Sequence, residues 1–464
     1  MKNITYKILM LVFIFIGFIS CESDDDSAID GLPSAIVNTD GPNAPARFLD
    51  REWFGNSEYL HRQSLNNNVA VYYGESVDRD IEWPFEFTES VWNFALDQYG
   101  DFGDNYLYAI YRTDNTEISN YLTYLDSPVE SSVLDITLSG LEQNQATMAE
   151  IISEIGKIVE HSSNGVNDSP GEEVLKQEFN KIFVYDAFMQ LGYETEAAAI
   201  KESYLQTSVG GIYWFRDWWL PLYEENGGGD FLSSFLRLVS QNYARKGDGY
   251  QIPLNAGGLI HFLSGTAGED LYPLASDLLN IDNNDIFDLA LSQAYYPNLA
   301  YQFEPLAEFV DITNNASISV SHENRGGADA GEGSKKLIDG NYGSKYLSFD
   351  GKEIIEGDFW LQQEIEEPTV LNRYILVSGN DAPGRDPSAW TISGSNDGVT
   401  WDVIDERADE KFTARGQERK FFIFNNSTPY KYYRMNITGY GEVGLFQMAE
   451  WRLETLVLLA DLGM

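Results

Sequence analysis

Apolar residues recur at three- and four-residue spacing in four segments of the first two thirds of the chain, which predicts amphipathic helices. These segments are 142–161, 172–192, 194–206 and 230–245. An earlier stretch, NNVAVYYG (67–74), has the short apolar pattern of a β-strand. The region 47–304 is therefore predicted to be α-rich with some β-structure.

The first of these helices has two distinct faces. Its apolar face is predicted to face the core and consists of Met148, Ile151, Ile152, Ile155, Ile158 and Val159. Its polar face carries Glu150, Glu154, Lys157 and His161. The same helix contains the frame Ser153-Glu154-Ile155-Gly156-Lys157, which matches the zinc-peptidase pattern H-E-x-x-H only at its Glu.

From about residue 311 the pattern changes to short or alternating apolar runs separated by turn residues. The runs are ASISVSH, RYILVSG, WTISGSN, KFFIFN and KYYRMNITGY, and the turns include Asp339-Gly340, Asp350-Gly351, Asp397-Gly398 and Asn425-Asn426. Strands at this spacing predict an all-β sandwich over 305–454. The final TLVLLADLGM (455–464) is too short to cross a bilayer, and we expect it to be an apolar tail that docks on the body.

The charge of the chain narrows the class of partner. Its 30 basic and 73 acidic residues give a net charge of −43, which disfavours nucleic acid or an anionic bilayer as an electrostatic partner. The single cysteine, Cys21, excludes an intrachain disulfide and a Cys-based metal cluster.

The N-terminus resembles a bacterial lipoprotein signal. A short basic region and the apolar run 8–20 end at Cys21, although Phe18-Ile19-Ser20 is a loose version of the usual lipobox. The resemblance implies removal of 1–20 and lipidation of Cys21; plain secretion with a free thiol is the alternative. The following ESDDDS resembles the export signal of Bacteroidetes surface lipoproteins, and 21–46 has the composition of a disordered tether. The expected location is the outer membrane, facing the cell exterior.

The C-terminal region resembles the coagulation factor 5/8 type C, or discoidin, domain, in the bacterial form grouped with family 32 carbohydrate-binding modules. Five segments carry the resemblance: KKLIDGNYGSKYLSF, FWLQQEI, NRYILVSGNDAPGRDPSAWTISGSNDGVTW, YKYYRMNIT and AEWRL. It implies a jelly-roll sandwich, and a structural Ca²⁺ held by Asp339, Asn341, Ser344, Glu450 and the main-chain carbonyl of Lys336. Ser344 stands where the family usually has Thr. The alternative is that Asp339 only forms its turn and Glu450 is solvated.

Sugar sites in such modules lie on loops at one end of the sandwich, where an aromatic face stacks on a pyranose ring. The candidate loops here are 322–334, 346–358, 380–390 and 438–446. His322, Arg325 and Tyr440 are the predicted ligand contacts. The four tryptophans of this region are predicted to be core residues: Trp360, Trp390, Trp401 and Trp451.

Residues 140–275 resemble secreted bacterial zinc-metallopeptidase-like proteins with the helix HEIGHIVE and a gluzincin-type third ligand downstream. The resemblance is carried by EIISEIGKIVEHSSNGVNDSP, KIFVYDAFMQLG, YWFRDWWLPLYEENGG and GGLIHFLSGTAGEDL. Ser153 and Lys157 then occupy the two histidine positions, Asn180 or Lys181 the third, and only the vestigial Glu154 matches. A hydroxyl and an ammonium do not bind Zn²⁺ at neutral pH, so zinc and peptidase activity are not expected.

Other interpretations remain open at this point. The helix is unrelated to peptidases if Glu154 and Lys157 are simply solvated, and a different metal site is conceivable from His161 and His261 with Glu160 or Glu154. The aromatic run YWFRDWWLPLY (213–223) is either core or the edge of a cleft that still binds a glycan or peptide.

The sequence predicts a surface lipoprotein that binds carbohydrate through its C-terminal module, beside an outer-membrane uptake system, with a zincin-like body that lacks zinc ligands. One alternative is a zinc metallopeptidase or other hydrolase, including a glycoside hydrolase, acting on glycoproteins. The other is an adhesin that recognises a protein partner.

Overall fold

The computed structural model describes residues 44–49 and 58–462, except for 101, 103–104, 114–118, 125, 128–130, 139, 168, 172, 247, 251–252, 415–417 and 442–443. The expected leader, Cys21 and most of the predicted tether lie outside the described residues.

The N-terminal region begins with a six-stranded mixed sheet. Its strands are β1 (Arg47–Leu49), β2 (Tyr59–Leu65), β3 (Val69–Tyr73), β4 (Leu107–Arg112), β5 (Asn120–Leu122) and β6 (Ser132–Thr137). Their order is β1-β2-β3-β4-β6-β5; β3, β4 and β6 are parallel, and the edge strand β5 is antiparallel to β6. The predicted strand within 67–74 is confirmed as β3.

Helices cover one face of this sheet and continue beyond it. They are α1 (Trp83–Tyr99), α2 (Gln145–Ser162), α3 (Glu173–Gln190), α4 (Glu194–Leu205), α5 (Leu220–Glu225), α6 (Gly229–Asn242), α7 (Ala256–Ala267), α8 (Tyr272–Leu278) and α9 (Asn283–Tyr295), with the small hairpin β7 (Arg245–Lys246) and β8 (Gly249–Tyr250). The four helices expected from periodicity are confirmed as α2, α3, α4 and α6. Within the described residues, no helix combines the length and apolarity needed to cross a membrane.

Helix α2 starts at an Asn144 cap, whose side chain accepts hydrogen bonds from the main-chain nitrogens of Ala146 and Thr147 at 3.0 Å. Its predicted apolar face is fully buried in the main core. Helix α3 crosses it closely at Gly156, where an added Cβ would lie 2.6 Å from a ring carbon of Phe183. The two helices therefore approach each other closely beside residues 153, 154 and 157.

The aromatic run at 213–223 forms a π-helical turn (Trp214–Trp219) that leads into α5. Trp214, Phe215, Trp218, Trp219 and Tyr223 are buried, whereas Tyr213 is partly exposed and lies beneath the guanidinium of Arg216. The run belongs to the core, in agreement with the first of the two interpretations.

The C-terminal region is a β-sandwich. Its elements are β9 (Ala307–Asp311), β10 (Ser317–Val320), β11 (Tyr346–Ser348), α10 (Glu353–Glu356), β12 (Trp360–Val370), β13 (Arg373–Val377), β14 (Pro387–Ser395), β15 (Asp402–Arg407), β16 (Arg419–Ile423), β17 (Pro429–Tyr440), β18 (Phe446–Met448) and β19 (Glu450–Leu458). A five-stranded sheet, β10-β12-β17-β14-β15, packs on a four-stranded sheet, β16-β13-β19-β9, and β11 pairs with β18. The all-β C-terminal domain is confirmed.

Two expectations for this region need correction. Thr455–Leu458, expected in the apolar tail, continue β19 and pair with β9. Trp390 and Trp451 are fully buried as expected, but Trp360 and Trp401 are only partly buried. Leu456 also contacts Ala290 and Leu291 of α9, so the end of the sandwich packs against the helical region.

Candidate functional site

Glu154 is the one residue of the segment 153–157 in α2 that matches the zinc-peptidase pattern, and it is 1% exposed. Its Oε1 accepts a hydrogen bond from Lys157 Nζ at 2.5 Å, while its Oε2 is buried and accepts none from the described residues. Burial raises the pKa of Glu154, and the ammonium of Lys157 opposes that shift. The interpretation in which both side chains are simply solvated is wrong for Glu154.

Helix α3 brings Asn180 to the same place. Asn180 Nδ2 donates to the main-chain oxygen of Ser153 at 3.1 Å and to its Oγ at 3.2 Å. Asn180 Oδ1 is buried and accepts no hydrogen bond from any residue whose position the structure describes. Lys181 instead pairs with Glu178, with Nζ and Oε1 2.5 Å apart. Of the two candidates for the third ligand position, the fold therefore places Asn180 beside Ser153.

The two histidines considered as an alternative metal site both have protein partners on each ring nitrogen. His161 contacts Tyr121 Oη at 3.0 Å and the Lys157 carbonyl at 2.9 Å. His261 is fully buried, contacts Tyr301 Oη at 2.7 Å and the Tyr296 carbonyl at 3.0 Å, and burial lowers its pKa to about 4. A metal ion would have to displace these bonds. Nowhere in the described ranges do three or more His, Cys, Asp or Glu side chains converge on a potential metal position.

The expected calcium ligands are brought together in the sandwich. Ser344 Oγ lies 3.0 Å from Asp339 Oδ2 and 2.9 Å from the Asn341 carbonyl, and Lys336 Nζ donates to Asp339 Oδ2 at 3.0 Å. Although burial alone would raise it, these donors and the main-chain nitrogen of Asn341 lower the pKa of Asp339. The carboxylate of Asp339 is thus ionised at neutral pH.

Glu450, the first residue of β19, faces this cluster. It is 0% exposed, and neither of its carboxylate oxygens accepts a hydrogen bond within the described residues. Burial and the neighbouring Asp339 raise its pKa to about 8, although Arg452, 3.7 Å away, acts in the opposite direction. The alternative of a solvated Glu450 is wrong. Two buried oxygens that accept no hydrogen bond from the described residues, beside a second carboxylate, an amide and a hydroxyl, fit a hard cation such as Ca²⁺.

The predicted sugar contacts lie at the loop end of the sandwich. His322 stacks on Phe359, with ring centroids 5.5 Å apart at an interplanar angle of 8°, and its Nδ1 contacts Ser321 Oγ at 2.8 Å. The guanidinium of Arg325 lies 4.5 Å from the centroid of the Phe349 ring.

The hydroxyl of Tyr440 accepts a hydrogen bond from the main-chain N–H of Gly444 at 2.8 Å and so stabilises the loop to which both residues belong.

Four loops meet at this end. Asn324 Nδ2 donates to the Leu347 carbonyl at 2.8 Å, which joins the first loop to the second. The main-chain nitrogen of Gly351 donates to the Gly444 carbonyl at 3.2 Å, which joins the second to the fourth. Gln447 Nε2, beside the fourth loop, donates to the Asp381 carbonyl of the third at 2.8 Å.

The sequence analysis did not predict one cluster of side chains on the five-stranded sheet. Trp360 and Trp401 lie against the guanidinium of Arg434, whose central carbon is 4.5 Å and 4.0 Å from their ring centroids. The alternation of residues along β12 could have indicated that Trp360 faces outward, because Trp360 shares its side of the strand with the polar residues Gln362 and Glu364.

A family model matches the sandwich, and several solved structures are similar to it over part of the chain. Residues 317–451 match the model of the F5/8 type C domain. Similar solved structures include the F5/8 type C domain of a Bacteroides fragilis protein, 18% identical, covering 33% of this chain and 100% of that chain with a TM-score of 0.29. Another is the family 32 carbohydrate-binding module of Clostridium perfringens NanJ in complex with galactose, 14% identical, covering 32% and 100% with a TM-score of 0.26.

One curated relative matches over a short segment. It is the peptide-N(4)-(N-acetyl-beta-glucosaminyl)asparagine amidase of Arabidopsis thaliana, 47% identical over 54 residues. The match spans 11% of this chain and 8% of that protein. The family-model match over 317–451, together with the observed sandwich, identifies the C-terminal part of this chain as an F5/8 type C, or discoidin-type, domain.

Proposed function

We propose that this chain binds carbohydrate through the loop end of its F5/8 type C domain. The observation that carries the proposal is the convergence of four loops that present an imidazole stacked on Phe359 and a cation over Phe349. Imidazole, guanidinium and aromatic faces are groups that hydrogen-bond to sugar hydroxyls and stack on pyranose rings.

We propose that Ca²⁺ binds between the Asp339 turn and Glu450. Asp339, Asn341, Ser344, Glu450 and the Lys336 carbonyl would hold it. The ion would supply positive charge to two neighbouring carboxylates and tie the start of β19 to the turn. The buried oxygens of Glu450, which accept no hydrogen bond from the described residues, support this assignment.

The N-terminal region is proposed to be a zincin-like domain without a working zinc site. Three features support this: a mixed sheet with an antiparallel edge strand, helix α2 with a buried Glu154, and α3 with Asn180 beside Ser153. The ammonium of Lys157 stands where an imidazole would be required and supplies positive charge to Glu154 in place of a metal ion.

The proposed setting is the outer surface of a Bacteroidetes-type cell, with Cys21 lipidated after removal of 1–20. There the domain would retain glycans near an outer-membrane uptake system. The net charge of −43 favours uncharged or sparsely charged glycans over continuous polyanions.

A glycan array probed with the full chain tests the loop site. Binding is expected for wild type and for the matched variant Arg237→Ala, which removes an exposed arginine of α6. The double variant His322→Ala/Arg325→Ala is expected to bind about ten-fold more weakly, equivalent to roughly 1.4 kcal/mol. Unchanged binding of neutral glycans by the double variant would refute the loop site, and binding of no glycan by wild type would favour recognition of a protein.

A further inference from the structure

The outer face of the five-stranded sheet carries a partly exposed aromatic and cationic cluster made of Trp360, Trp401 and Arg434. Large aromatic side chains that remain partly exposed on a sheet face lose hydrophobic stabilisation that a buried position would provide. Such residues are enriched in binding surfaces. Trp360, Trp401 and Arg434 lie outside the four loops described above, although Trp360 directly follows Phe359, which comes just after the second loop.

Arg434 has no anionic partner in the part of the chain that the structure describes. Its Nε and Nη2 donate to Gln362 Oε1 at 3.1 Å and 2.7 Å, and among the described residues no carboxylate oxygen lies within 4.0 Å of its nitrogens. A guanidinium carries five N–H donors, so donors remain for a ligand. Burial lowers the pKa of Arg434, as expected for a cation partly removed from water without a counter-ion.

The surrounding face carries hydrogen-bonding side chains in register. Gln362 pairs with Arg434 across β12 and β17, and Trp360 pairs with Asn436 in the next row. Asn436 in turn donates to Thr391 Oγ1 on β14 at 3.2 Å. Amides and hydroxyls at this spacing on a flat surface suit the hydroxyl groups of an extended saccharide.

The charge at the position of Arg434 itself is positive, because the acids of this face lie away from its guanidinium. Glu364 is neutralised by Lys431, with Nζ and Oε1 3.2 Å apart. Glu406, on the same side, pairs with Thr391 and is therefore two strands away from Arg434. The exposed Glu366 and Glu367 follow Glu364 along β12, on the side of Lys431. The field of the chain's distant acids is screened over about 8 Å at physiological ionic strength. A single carboxylate is therefore complementary to this position.

We propose that this face is a second glycan-binding site that takes a saccharide bearing a uronic acid. The carboxylate binds the free donors of Arg434, and pyranose rings stack on Trp360 and Trp401. Because the whole chain is strongly acidic, the ligand is a mainly neutral polymer with isolated uronic acids rather than a continuous polyanion.

Affinity electrophoresis of the full chain in gels containing glucuronoxylan tests the proposal, with carboxyl-reduced glucuronoxylan as the matched polymer. Wild type is expected to be retarded at least about five-fold more strongly by the acidic polymer, and added salt should reduce that difference. Arg434→Gln should remove the preference for the acidic polymer. Trp360→Ala/Trp401→Ala should weaken retardation by both polymers, because it removes the rings on which pyranoses stack. Thermal unfolding of each variant checks that the fold is retained.

The controls separate this site from the loops. Arg237→Ala should behave as wild type, and His322→Ala/Arg325→Ala should keep the preference for the acidic polymer. Equal retardation of wild type by the two polymers, or a preference that survives Arg434→Gln, would overturn the proposal. Loss of the preference only in the loop variant would also overturn it and assign the uronic acid to the loops.

Discussion

Asn180 Nδ2 lies 3.2 Å from Ser153 Oγ and thereby joins α3 to α2 beside the buried carboxylate of Glu154. The contact links two positions that the proposed zincin-like arrangement would give to metal ligands. It also leaves Asn180 Oδ1 and Glu154 Oε2 without hydrogen-bond partners in the described part of the chain. The polar groups are therefore close together but incompletely satisfied.

Restoring ligands should restore metal binding if this arrangement is correct. The triple variant Ser153→His/Lys157→His/Asn180→Glu is expected to bind about one zinc per chain, since two imidazoles and a carboxylate form a catalytic-type zinc set. Metal analysis after dialysis measures the zinc content per chain. The control is the triple variant Ser153→His/Lys157→His/Lys181→Glu, which should bind zinc much more weakly. Stoichiometric zinc in wild type, or none in the triple variant, would contradict the zincin-like proposal.

The pair of Lys157 and Glu154 should show strong coupling. Lys157→Met leaves a buried carboxylate unpaired and is expected to lower the free energy of unfolding by about 1–3 kcal/mol. This is less than the cost of breaking a fully buried ion pair, because Lys157 is partly exposed to solvent. The double variant Lys157→Met/Glu154→Gln should recover most of this loss, because it also removes the charge. Urea unfolding of the four proteins in the cycle measures the coupling. Additive effects would show that the two side chains act independently.

Calcium should stabilise the sandwich. At a concentration about 100 times its dissociation constant, the ion should add about 2.7 kcal/mol to the free energy of unfolding and raise the unfolding temperature. Glu450→Gln should abolish this increase, whereas Asp329→Asn, which alters an exposed acid of the same domain, should keep it. Calorimetry with calcium and with EDTA makes the measurement. An equal response of Glu450→Gln would place the ion elsewhere.

Without calcium, the stability of this domain should fall as pH rises. The folded-state pKa of Glu450, about 8, lies above its ordinary value of 4.5, so the folded state holds the proton more tightly than the unfolded state. The contribution is fully present below about 4.5 and is lost as pH rises through about 8. Denaturant unfolding from pH 4.5 to 8.5 should show the decline in wild type and a flatter profile in Glu450→Gln. A wild-type profile as flat as that of the variant would contradict a raised pKa.

Much of the fold followed from the order of apolar and polar residues along the chain. Periods of three to four residues predicted α2, α3, α4 and α6, and the runs between turns predicted the main strands of the sandwich, because these patterns depend on local geometry. Glu154, Asp339 and Glu450 were proposed as chemically important positions from the resemblances to zinc-peptidase helices and to the F5/8 type C domain, not from this periodicity.

Tertiary structure decided which of these groups meet and how much water reaches them. Asn180 rather than Lys181 contacts Ser153 because α3 crosses α2 at Gly156. Glu450 loses its solvation because β19 starts beside the Asp339 turn, and Trp360 remains partly exposed because the sheet faces outward there. Periodicity along one element specifies a face, whereas burial and pairing arise from the packing of elements distant in sequence.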